Sequence, residues 1–138
     1  MDKNIIRFSV SLPKNLLEIL DNMVKKEQYV SRSELTRDLI REKIVKDSWQ
    51  NEENEVVAVF VCVYDHHEND LLAKKMSIEH DAKIKIICTN HIHMDHNNCL
   101  ETSILRGNAK LIKEFSSQIA GLKSIKFTNL IKAGIPQD

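Results

Sequence analysis

The chain has 138 residues, with 20 Lys+Arg balancing 20 Asp+Glu, 29% charged and 42% hydrophobic residues. That composition excludes a disordered tail, a collagenous chain and a disulfide-stapled mini-protein. No apolar run reaches the roughly 18 residues of a membrane span and Met1–Ser9 has no signal-like apolar core, so a cytoplasmic protein is expected. Three cysteines in such a compartment argue against a disulfide framework. Zero net charge leaves nucleic-acid binding, if any, to a local patch.

Charge and soft ligands divide unevenly. Residues 1–50 hold 10 basic and 8 acidic side chains, net +2, whereas residues 51–138 hold 10 and 12, net −2. All six histidines and all three cysteines fall between positions 62 and 99. A polar run at residues 47–55 suggests two domains, 1–50 and 51–138.

In the first domain Ile6, Phe8, Val10 and Leu12 alternate with Arg7, Ser9 and Ser11, the period of a half-buried strand. Pro13 suits the first turn of a helix, and Leu16, Leu17, Ile19, Leu20, Met23 and Val24 give it an apolar stripe. Ser31-Arg32-Ser33-Glu34 predicts a capping box: Ser31 caps, and Glu34 reaches back. A second stripe runs through Leu35, Leu39, Ile40 and Ile44. A lone strand in a unit of about 45 residues lacks both a ladder partner and a sufficient core. A second copy of the chain supplies both. Two antiparallel strands then present Arg7, Ser9 and Ser11 outward, a ribbon that fits the DNA major groove.

This stretch, roughly residues 4–47, resembles the ribbon-helix-helix repressors. The resemblance implies that Arg7, Ser9 and Ser11 read bases while Ser31, Arg32 and Ser33 grip phosphate. A helix N-terminus is a natural anion site. The alternative is a dimerisation module whose strand face is merely solvated.

In the second domain the run at 56–64 predicts a strand, and Asp65-His66-His67 lead into a helical pattern through Leu71, Leu72 and Met76. Ile84, Ile86, Ile87 and Cys88 open a strand continuing to Met94; Asp95-His96-Asn97-Asn98 turn; and Cys99 to Leu105 return before Gly107. A helix through Leu111, Ile112, Phe115, Ile119 and Leu122, ending near Gly121, and a strand through Ile125, Phe127 and Leu130 complete the order β-α-β-β-α-β. That is the ferredoxin-like pattern, and the fold class is α+β.

His91 and His93 point the same way on a strand, about 7 Å apart, and the hairpin brings Cys99 beside them. Two imidazoles and a thiolate, with His80 upstream on a helix end, form a candidate metal site. Cys62 and Cys88 look like core cysteines and stay outside it. Nothing resembles a catalytic constellation, so no enzyme is expected.

The stretch from His80, with eleven positions to His91, then His93, His96-Asn-Asn-Cys99 and Glu101, resembles the signature of the nickel-responsive transcriptional regulators. The resemblance implies one Ni(II) per subunit, held by His91, His93 and Cys99 of one chain and His80 of a neighbour. It implies an ACT-like second domain, a homotetramer built as a dimer of dimers, and palindromic operator DNA as partner. Tyr64 and Glu101 match positions that support the site, and Glu34 and Asp38 match acidic positions that can hold potassium or another hard cation. Glu79 departs from the pattern, where an amide is expected. His66, His67 and His96 add possible secondary metal ligands. Nickel and copper accept planar N,S ligation, whereas zinc prefers a tetrahedron. Two other readings compete: an ACT-like regulator sensing an amino acid or other small molecule, and a nickel or copper storage protein.

Overall fold

The computed structural model describes residues 4–134, and the chain divides into two compact units, 1–40 and 41–138.

In the first unit, helix α1 spans Lys14–Lys26 and helix α2 begins at Arg32. Pro13 precedes the first helical residue, and its carbonyl accepts from Leu16 and Leu17. The Ser31 hydroxyl accepts from the Glu34 amide at 3.2 Å, so the predicted cap is made. Only half of the capping box forms, because the Glu34 carboxylate pairs with Arg37 one turn ahead rather than reaching back. Residues 4–12 form no strand ladder in the single chain. Ile6, Phe8 and Val10, the predicted inner face, are 85%, 73% and 68% exposed, and the α1 stripe is open at Leu16 and Ile19. Apolar surface on this scale marks an interaction face.

Helix α2 continues to Gln50 without a break, so residues 47–50, predicted as linker, are helical. Its last ten residues belong to the second unit. There Trp49 is buried, its indole N–H donates to the Ala133 carbonyl at 2.7 Å, and Lys132 lies over its ring.

The second unit runs β1 (Glu55–Tyr64), α3 (Asn69–Asp81), β2 (Lys85–Asp95), β3 (Asn98–Asn108), α4 (Ala109–Ala120) and β4 (Ile125–Ala133). The four strands form one antiparallel sheet in the order β2-β3-β1-β4, the ferredoxin-like arrangement. Burial alternates along β1, with Val56, Ala58, Phe60, Cys62 and Tyr64 on the inner face. Leu71 of α3 and Ile112, Phe115 and Ile119 of α4 join that core, and Phe115 meets Phe60 edge-on at 5.9 Å. Asn108 caps α4 by accepting from Lys110 and Leu111. β3 carries on through Gly107 to Asn108, beyond the predicted end at Leu105.

One departure from simple alternation matters for the site. Ile86 pairs with Leu105, but a bulge at Ile87 makes the next pair Cys88 with Ile104. A bulge shifts the facing of every later residue. Cys88, predicted as a core cysteine, is consequently exposed. The same shift turns Thr89, His91 and His93 toward the side of Ser103, Glu101 and Cys99.

Candidate metal centre

β2 is an edge strand, and its residues from Ile87 to Asp95 are exposed. Its neighbour β3 is buried on one side at Cys99, Glu101, Ser103 and Leu105. His93 stands directly opposite Cys99, and His91 opposite Glu101. The thiol of Cys99 lies 3.8 Å from His93 Nδ1, and the His91 and His93 rings stack with centroids 5.3 Å apart. The hairpin therefore brings two of the predicted ligands, His93 and Cys99, together, while His91 stacks on His93 and faces Glu101 without joining a ligand group.

A residue set aside in the sequence as a secondary ligand comes closer still. His66, in the turn between β1 and α3, places Nδ1 2.8 Å from the Cys99 sulfur and its ring 4.6 Å from His93. Ligand atoms of His66, His93 and Cys99 all lie within 4.8 Å of one another. Donors bound to one ion at about 2.0–2.3 Å lie at most about 4.6 Å apart, so side-chain shifts of a few tenths of an ångström would bring this group onto one ion. Burial pushes the His66 imidazole below its ordinary range, assisted by the nearby His67 and His93, which favours the neutral, donating form. Asp65, His66 and His67 form a second such group, and the His67 ring lies 4.9 Å from that of His96.

His80 sits elsewhere. It is exposed in the last turn of α3, with Nδ1 3.2 Å from the Asp81 carboxylate, and it joins neither of these groups. Cys62 faces the same core as Tyr64, but burial pushes its thiol up to about 12, which keeps it protonated and unsuited to a metal.

Behind His91 lies a buried polar network. The Tyr64 hydroxyl donates to Glu101 Oε2 at 2.6 Å, and that oxygen is 3.9 Å from His91 Nδ1. The Tyr64 ring also meets the His91 ring edge-on, 6.0 Å between centroids. Burial, and then the bond to Glu101, raise the Tyr64 hydroxyl far above its ordinary value, so it remains a donor. Lys75 of α3 completes the network by pairing with both Glu101 and Glu79. Sequence reasoning missed Lys75, because Lys74-Lys75 reads as the solvated face of a helix.

The loop that turns β2 into β3 is pinned. Asp95 accepts from the Asn97 amide at 2.8 Å, and Lys126 of β4 donates to the Asn97 carbonyl and Asn98 Oδ1 at 3.0 and 2.6 Å.

In the first unit Arg7, Ser9 and Ser11 are exposed, as are Arg32 and Ser33, and Ser31 is half-buried. Arg32 is held by Asp21 through two bonds of 2.6 and 2.8 Å. Glu34 faces Arg37, and Asp38 accepts from the Tyr29 hydroxyl at 2.9 Å.

Two family models cover most of the chain: the NikR C terminal nickel binding domain over residues 57–133, and the ribbon-helix-helix protein, copG family, over residues 6–47. A relative from Campylobacter concisus, by name a nickel-responsive regulator, is 58% identical over 97% of this chain and 98% of its own length. The chain belongs to the NikR family of nickel-responsive regulators. Similarly named relatives from Helicobacter pylori strain P12 and Campylobacter hominis are 51% and 46% identical, each over 96% of this chain and over 91% and 97% of their own. Its N-terminal part is thus a ribbon-helix-helix DNA-binding domain and its C-terminal part a nickel-binding domain. NikR proteins are regulators, so the reading as a non-enzyme holds. Among the described residues no helix is long and apolar enough to cross a membrane.

Proposed function

We propose that this NikR chain binds one Ni(II) per subunit through His91, His93 and Cys99 of one copy and His80 of a second copy, and that the loaded homotetramer binds palindromic operator DNA. The observation that carries this reading is the register of the β2–β3 hairpin. It sets His93 against Cys99 and His91 against Glu101 on one face, while His80 stands exposed and outside that group. A histidine offered at a helix end suits a neighbour's incomplete site better than its own. Three imidazoles and one thiolate are a donor set that Ni(II) accepts in planar geometry. When bound, nickel supplies a link between two chains, and a ligand shifts an equilibrium only by binding its two states differently. Tyr64 and Glu101 orient His91, since a metal-bound imidazole needs its other nitrogen held.

For DNA, Arg7, Ser9 and Ser11 form the reading face, and Ser31, Arg32 and Ser33 the phosphate grip at the start of α2. The exposure of Ile6, Phe8, Val10, Leu16 and Ile19 supports pairing with a second copy. Glu34 and Asp38 remain the positions proposed for a hard cation, and His66, His67 and His96 those for secondary metal binding. A cytoplasmic location follows from this role.

Mixing two damaged chains tests the shared site. His80→Ala and Cys99→Ser variants should each lose nickel binding and nickel-dependent DNA retardation. Refolded together, they should recover part of both, because one mixed site keeps His80 from one chain and Cys99 from the other. No recovery in demonstrably mixed oligomers would place all ligands within one chain.

A further inference from the structure

Lys75 is 5% exposed, and lysines are almost never so buried without partners. It has three. Its ammonium pairs with Glu79 one turn ahead on α3 and with Oε1 of Glu101 on β3, and it lies 5.5 Å from the centre of the Tyr64 ring. Each oxygen of Glu101 thus has its own donor: Lys75 on one, and Tyr64 on the oxygen that faces His91. Two donors on opposite oxygens fix the rotation of a carboxylate that either alone would leave free to turn. Position 79, next to His80, carries an acid where the family pattern suggests an amide. Without Lys75, Glu79 and Glu101 would share a partly buried space as two like charges, which is costly.

Resting on the nickel site proposed above, we infer that Lys75 is a positioning residue of that site: it holds Glu101 toward His91 and makes an acid at position 79 compatible with it. Lys75 touches no ligand itself. It acts through Glu101 and Tyr64 on His91, and along α3 it joins that network to the helix end that carries His80.

The test uses the full-length protein, nickel titration, and the sulfur-to-nickel charge-transfer band as a readout of the coordination shell. Lys75→Met should weaken nickel binding about 10- to 100-fold, the usual effect of losing a partner that orients a ligand, and should alter the band. Lys75→Met combined with Glu79→Gln removes one positive and one negative charge together and offers Glu101 an amide N–H in place of the lost ammonium, so it should restore both affinity and band. Lys75→Met with unchanged affinity and band, beside a Cys99→Ser control that loses both, would overturn the positioning role and leave the nickel site standing. A Cys99→Ser control that keeps both would overturn the site, and this inference with it. Should Lys75→Met not fold, the double variant decides. If it folds and binds nickel as wild type, the compensation stands; if it binds as weakly as Cys99→Ser, or does not fold either, the compensation is refuted.

Discussion

Trp49 offers a test of how α2 is anchored in the second unit. Its ring is 2% exposed within the core that also holds Val56, Phe60 and Ile112, its N–H bonds the Ala133 carbonyl, and its own carbonyl accepts from Lys113 at 3.2 Å. Two substitutions separate these contributions. Trp49→Phe keeps an aromatic ring and loses the N–H, which should cost about 1–2 kcal/mol for the missing bond and the carbonyl left without it. Trp49→Ala also empties a large buried volume, and should cost about 3–5 kcal/mol. Natural domains are stable by only about 5–15 kcal/mol, so the alanine variant should lose about a fifth of that margin or more. Urea denaturation followed by far-ultraviolet dichroism measures both, at matched protein concentration. A Trp49→Ala midpoint displaced by less than the Trp49→Phe midpoint would refute the packing argument. Equal displacements would assign the whole effect to the hydrogen bond.

The cysteines should differ in reactivity. With iodoacetamide at neutral pH, Cys88 should label first because it is exposed, and Cys62 last because its thiol is buried and pushed up to about 12; mass spectrometry of the digested protein checks the order. Nickel affinity, followed by titration calorimetry, should fall as pH drops through about 6.5 to 5, where an ordinary imidazole gains its proton. The lowered His66 favours its neutral form in the fold, so its contribution to stability is present above about 6.5 and fades as pH falls below that value. Arg7→Ala should cost about 1–3 kcal/mol of discrimination between operator and random DNA while leaving nickel binding intact, as read by competition gel shift. Phe8→Asp should lower the particle mass in sedimentation and abolish operator binding, whereas an unchanged mass would deny that this face pairs.

Much of this fold was legible because its elements obey simple periods. The apolar β-rich run at 56–64 and the stripe of α4 lead to the observed strand and helix of the core, and His-x-His on a strand with Cys99 on its return led to the observed hairpin face. What escaped depends on events that carry no period. The bulge at Ile87 adds one residue to β2, so the pattern Ile84, Ile86, Cys88 predicted the wrong side for Cys88. His66 comes beside Cys99 through a turn and a sheet that separate them by 33 positions in sequence. Lys75 is hidden for a different reason. A buried ammonium and a solvated one are written with the same letter, and only the partners at 79 and 101 tell them apart. At the start of α2 the sequence called for a Glu34 side chain turned back, but Arg37 offered it a nearer charge.

The bare apolar edge at Ile6, Phe8 and Val10 has a genetic consequence. If it pairs with a second copy as proposed above, that surface accepts any copy that retains it, sound or faulty. An Arg7→Ala allele keeps those three side chains, so its product would pair freely with normal chains in the same cell and weaken every ribbon it entered. Lesions on the reading face should therefore be dominant, and lesions on the pairing face recessive, because a chain that cannot pair excludes itself and leaves the normal copies to one another.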